Sequence, residues 1–222
     1  MRHLSRLAGL ALACLVLGGC ADDVQIAVGD PVVVTWDGAD GDTMGQVIVS
    51  ITNEGGAPVD PDVFGRGSQT VAHLLTDDGR ELAGGDARVQ LHAVPELLGP
   101  GESGYLLGTF EIAEPDGVPA DARIQLNAHG SGERVPVTVD DVEIVTTNDG
   151  IGVTGHIDWN GAGTAVARAI AFDADGEVLG YAATDEARYV PGDVTMCCFP
   201  PGVDRDEIDD VVVIGVQADD EN

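Results

Sequence analysis

Val47-Ile-Val-Ser-Ile-Thr52 running into Asn53-Glu-Gly-Gly-Ala-Pro58 is the stretch on which the fold turns. β-branched residues fill most of the run, and a glycine-rich turn closed by proline then stops it. Such a run is too short to establish a helical period and suits a pleated strand. The same sequence of run and stop recurs in both directions along the chain. Candidate strands cover 24–28, 32–36, 46–52, 70–76, 88–94, 104–112 and 122–128, and then 135–139, 142–146, 152–159, 164–172, 177–183, 194–199 and 211–217. Turns such as Asp77-Asp-Gly79, Asn148-Asp-Gly150 and Asp175-Gly176 separate them. Only Arg205–Asp210 suggests a turn of helix. The expectation is an all-β protein.

The strands fall into two similar sets. Each reads strand, Asn-Gly turn, strand, Asp-Gly hairpin, strand, Pro-Gly turn, strand. Asn53-Glu-Gly-Gly, Asp77-Asp-Gly79 and Leu98-Gly-Pro-Gly101 mark the first set. Asn160-Gly-Ala-Gly163, Asp173-Ala-Asp-Gly176 and Val190-Pro-Gly192 mark the second. The repeat predicts two tandem immunoglobulin-like β-sandwich domains, residues 24–134 and 135–222, joined at Gly130-Ser-Gly-Glu133.

Charge narrows the function. The 222 residues hold 39 Asp and Glu against 10 Lys and Arg, a formal net charge of −29. A phosphate backbone needs a basic face, so nucleic acid is excluded as a partner. Hydrophobic residues make up 44%, which sets the chain apart from disordered acidic tails.

The amino-terminal residues read as an address. Met1–Arg6 carries Arg2 and Arg6 and no acid, and Leu7–Gly19 is an unbroken run of apolar and small residues. At about 1.5 Å per residue that run falls short of the roughly 30 Å hydrocarbon core, as a secretory signal does. Leu17-Gly-Gly-Cys20 closes it and resembles the bacterial lipobox. The resemblance implies a signal peptide over 1–19, diacylglycerol on the Cys20 sulfur, a further acyl chain such as palmitate on the new amino terminus, and a tether over 20–23. Acyl chains at about 0.8 kcal/mol per buried CH₂ would hold the protein on a membrane as a lipoprotein of the cell envelope, facing away from the cytoplasm. Loss of Arg2 and Arg6 leaves 8 − 39 = −31.

Cys14 departs with the signal and Cys20 is spent on lipid, leaving Cys197 and Cys198 side by side. Adjacent Cα atoms lie about 3.8 Å apart, below the roughly 4.4 Å at which disulfides begin, and strand side chains alternate between faces. Two free thiols are therefore expected, at least one of them buried.

Arg168-Ala-Ile-Ala-Phe-Asp-Ala-Asp-Gly-Glu-Val-Leu-Gly180 with Pro191-Gly192 resembles the FxLYD-like domains of secreted bacterial lipoproteins. Ala169 and Ala171 stand where that family has Phe and Leu, and Phe172 replaces its Tyr. The likeness implies an immunoglobulin-like sandwich with an envelope address, and it names no substrate.

No nucleophile–base motif or cofactor fingerprint is legible. His73, His92, His129 and His156 stand singly in separate strands, as packing or surface residues do. A hydrolase would require a deep pocket holding a histidine beside a carboxylate. Trp36 and Trp159 end strands as core anchors. Hard oxygen ligands gather at Asp37, Asp40 and Asp42, with further acids at Asp173, Asp175, Asp204, Asp206 and Glu207, so calcium is the ion these loops suggest. The reading is of a non-enzymatic, lipid-anchored binding or scaffolding module that meets a protein partner at the cell surface. The alternative is a calcium-dependent surface domain.

Overall fold

The computed structural model describes residues 24–38, 41–61, 69–113, 116–130, 137–159, 164–184 and 191–218. The expected signal peptide, Cys20 and the joining residues 131–133 lie outside them. Within the described residues the protein is all-β, with antiparallel pairing throughout and two short 3₁₀ turns, Gly85–Ala87 and Arg205–Glu207.

The first half contributes β1 (Ile26–Val28), β2 (Val32–Asp37), β3 (Thr43–Asn53), β4 (Val59–Asp60), β5 (Val71–Leu75), β6 (Arg88–Gln90), β7 (His92–Val94), β8 (Ser103–Ile112), β9 (Asp121–Gln125) and β10 (His129–Gly130). β3 lies between β8 on one side and β1 followed by β2 on the other, and β7 extends the sheet beyond β8. A second sheet runs β6-β5-β9, and β4 pairs with β10. Alternation in β3 turns Val47, Val49 and Ile51 inward, where they join Leu106 and Phe110 of β8, Ala72 and Leu74 of β5 and Val89 of β6 in one buried cluster.

Asn53 explains why the opening stretch stops where it does. Its buried side-chain amide donates to the carbonyls of Ala57 and Leu98, each at 2.9 Å, and its Oδ1 accepts from Gly55 N–H. Its backbone N–H donates to Glu102, and its carbonyl accepts from Gly101. The Asn-Gly and Pro-Gly turns of the first repeat are thus one hydrogen-bonded unit.

The second half contributes β11 (Thr138–Thr146), β12 (Ile151–Asp158), β13 (Thr164–Phe172), β14 (Val178–Thr184), β15 (Gly192–Cys197) and β16 (Asp210–Ala218), in the order β11-β12-β15-β14-β13-β16. β14 and β15 pair only at Ala183–Cys197 and Thr184–Met196, so the sheet folds over at that junction. Val153, Ile157, Val194 and Met196 from one side then share a core with Ala165, Ala167, Ala169, Ala171 and Ala182 from the other. The pairing order of the halves corresponds. β2-β3-β8 matches β11-β12-β15, and β6-β5-β9 matches β14-β13-β16.

A third cluster bridges the halves. The faces of β3, β7 and β8 turned away from the first core bring Ile48, Val94 and Leu107 against Ile170 of β13, Tyr181 of β14 and Val216 of β16. Gln46 spans this seam: its Nε2 donates to the Tyr181 carbonyl and its Oε1 accepts the Tyr181 N–H, both at 2.9 Å. One side-chain amide occupies both backbone groups that β14 would otherwise leave unpaired there. Burial pushes the Tyr181 hydroxyl up to about 12.

Candidate functional site

The outer face of β11, β12 and β15 is polar. On β12, Val153, Gly155 and Ile157 point inward and Thr154, His156 and Asp158 outward; on β15, Val194 and Met196 point inward and Asp193 and Thr195 outward. Register places His156 opposite Asp193 and Thr154 opposite Thr195. These residues, with Asp141 of β11, line a groove of about 390 Å³. Asp141 stands at a break in β11 pairing between Asp140 and Glu143, and its positive φ of 53° turns the chain there.

His156 Nδ1 lies 2.7 Å from Asp193 Oδ1, with side chains 43% and 95% exposed. The hydrogen bond to Asp193 raises the His156 pKa above its ordinary 6.5, and the charges of Asp193, Asp141 and Asp158 add to the effect. Because the folded value is raised, the pair contributes stability that is complete below the unfolded pKa and fades as pH rises through the folded one. Titration of the ring by NMR should give a midpoint above 6.5, and Asp193→Asn should lower it; an unchanged midpoint would refute the assignment. The groove hydroxyls belong to threonines, and that of Thr154 donates to the Glu143 carbonyl at 3.4 Å. The chemistry this arrangement offers is an imidazole whose charged form is favoured by an acidic rim, open to solvent.

A second histidine also acquires a carboxylate. His73 Nδ1 is 2.9 Å from Glu81 Oε1, and Arg123 Nη2 is 2.7 Å from Glu81 Oε2. The His73 bond, followed by the Arg123 charge and bond, holds the Glu81 carboxyl below its ordinary range. His73 and His156 are thus not single residues on their faces: Glu81 reaches His73 from beyond the Asp77-Asp-Gly79 turn, and the β12–β15 register brings Asp193 to His156. His92 lies in β7 and His129 in β10.

Asp37, exposed, and Asp42, half-buried, flank the β2–β3 turn, where Gly38 N–H donates to the Asp42 carbonyl; Asp40 lies outside the described residues. Asp173 Oδ1 accepts from the N–H groups of Asp175 and Glu177, closing the β13–β14 hairpin. Asp204 N–H donates to Glu207 Oε2 at the carboxyl-proximal 3₁₀ turn. Among the described residues no three His, Cys, Asp or Glu side chains converge as a metal site. Trp159 is buried in the second core, and Trp36 is half-buried on β2.

Cys197 ends β15 and Cys198 follows it, both half-buried. Thr147 Oγ1 lies 3.7 Å from each sulfur.

In comparison with known proteins, no family model, curated protein or solved structure matches the chain.

Proposed function

We propose that the chain is a non-enzymatic, lipid-anchored protein of the cell envelope, built from two immunoglobulin-like sandwiches and serving as a binding or scaffolding module. The observation that carries this reading is the spacing between the lipobox cysteine and the fold. Cys20 precedes β1 at Ile26 by a few residues, a reach of about 20 Å even if fully extended. The Gln25 carbonyl accepts from the N–H groups of Glu54 and Gly55, so the entering chain is tied to the Asn53 end of the first half. An acyl anchor on Cys20 would hold that end toward the bilayer.

The repeated pairing order supports the sandwich assignment, with two corresponding three-strand orders in each half. The FxLYD-like hairpin at 168–180 agrees with it. Partner binding then falls to surfaces that the seam leaves open. The face of β11, β12 and β15 is one, since the seam uses β13, β14 and β16 in the second half. Its acidic rim favours a basic protein partner. The anchor is tested by fractionation of cells making the protein or its Cys20→Ala variant. The parent should sediment with membranes and incorporate labelled palmitate, and the variant should do neither. Equal sedimentation of the two would overturn the anchor.

A further inference from the structure

With 39 Asp and Glu against 10 Lys and Arg, a cation in this chain rarely lacks a carboxylate within reach. Arg80 pairs with Asp116, and Arg123 with Glu81. Arg168 of β13 does not pair. It stands on the seam face of the strand with Val166, Ile170 and Phe172, opposite Ala183 of β14 and Ile214 of β16. Its one side-chain hydrogen bond among the described residues runs from Nη1 to the neighbouring Ala167 carbonyl, at 3.2 Å. Burial lowers the pKa of the guanidinium, and the Tyr181 hydroxyl is the group that acts on its charge; among the described residues no carboxylate does. A desolvated cation without a counter-ion is costly, and an anion bound there would relieve the cost.

The head of Arg168 is within reach of solutes. Among the described residues, the side-chain polar atoms sealed from solvent without a partner are Gln90 Nε2 and Trp159 Nε1. The remaining Arg168 nitrogens, which also lack a partner, are therefore open to solvent. Around them Val166, Ala183 and Ile214 are half-buried, whereas Ile170 and Tyr181, the next pair on this face, are buried. The seam thus closes over Ile170 and stops short of Arg168, leaving apolar side chains partly uncovered around a cation. Ala183 is small and leaves space on one flank. The Tyr181 hydroxyl, which hydrogen-bonds the Thr109 side chain of β8, is pushed up to about 12 by burial, so it keeps its proton and adds a neutral donor at the same margin.

We propose that this margin of the seam is a binding site for a small monocarboxylate with an apolar body. The guanidinium receives the carboxylate, and Val166, Ala183 and Ile214 cover the apolar part. Each further negative charge on a ligand would meet the field of a chain at −29, so one charge suits the site better than several. The site belongs to β13, β14 and β16 and is separate from the acidic groove on β11, β12 and β15.

The test titrates the folded, full chain with sodium benzoate at fixed ionic strength, using calorimetry as the readout and benzamide as the uncharged control. Benzoate should bind the parent, and Arg168→Gln should weaken that binding by about tenfold or more, the loss expected for a hydrogen bond between charged groups. Benzamide should not distinguish the two proteins. A second measurement needs no variant: the Arg168 Nε–H resonance of the parent should shift on addition of benzoate and stay in place with benzamide. Equal benzoate affinity in the parent and Arg168→Gln would overturn the proposal. So would a parent that binds no benzoate at millimolar concentrations, or an Nε–H resonance that benzoate leaves unmoved.

Discussion

Ile48→Asp is expected to cost about 4 kcal/mol or more and to split one melting transition into two. Truncating a buried isoleucine alone costs about 2–5 kcal/mol, and burying a polar group without a partner adds to that. Ile48 is 1% exposed and lies in the seam with Val94, Leu107, Ile170, Tyr181 and Val216. The substitution touches neither of the two inner cores, so each half keeps its own sheets while losing the contact that couples them. Burial raises the pKa of the new carboxyl. Its penalty relative to the parent is therefore full above that raised value and shrinks as pH falls through it. Calorimetry on both proteins at neutral and acid pH reads this directly. A single transition displaced by less than about 1 kcal/mol would mean that the seam does not couple the halves.

Gln46 acts at the same seam by a different route. Ile48 contributes packing, whereas Gln46 fills both hydrogen-bonding positions of Tyr181 from the neighbouring half. A sheet edge answered by a side-chain amide is fixed in register as well as covered. A seam of this kind holds the outer face of β11, β12 and β15 fixed relative to the end where the chain enters.

The fold was legible wherever one face of a strand alternates against a core. The predicted run at 164–172 coincides with β13, and the run at 104–112 differs from β8 by one residue. β13 also carried a signal that went unused. Val166, Ile170 and Phe172 are apolar on the face opposite Ala165, Ala167, Ala169 and Ala171, and a strand apolar on both faces is covered on both. That pattern pointed to the seam.

Other features have no local signature. The run 88–94 looks continuous because its alternation survives the change of sheet at Leu91, which is buried and bonded through its N–H to the Thr70 carbonyl. The runs 135–139 and 142–146 read as two strands because Asp140 and Asp141 resemble a turn; they stand instead at an irregularity inside the single strand β11. β4 and β10 are two residues each, too short for any period. His156 and Asp193 are 37 residues apart and meet only through the β12–β15 register, which sequence alone does not supply.

Ala169→Phe is expected to destabilise the protein by about 3 kcal/mol. Ala169 is fully buried, lies between Ala182 of β14 and Val213 of β16, and shares a cluster with Val153, Ile157, Met196, Trp159 and Phe199. The alanine row on β13 lets those large side chains close over it. A phenyl group would enter a space already filled and force its neighbours from their rotamers. Ile157→Ala empties part of the same cluster and should itself cost about 2–5 kcal/mol. Combining the two exchanges volume across the core, so the double variant should be more stable than the sum of the single losses predicts, by about 1 kcal/mol or more. Urea denaturation of the four proteins closes the cycle. Strict additivity would show that residues 157 and 169 do not compete for one space, and an Ala169→Phe protein as stable as the parent would show that the alanine row is not tightly packed.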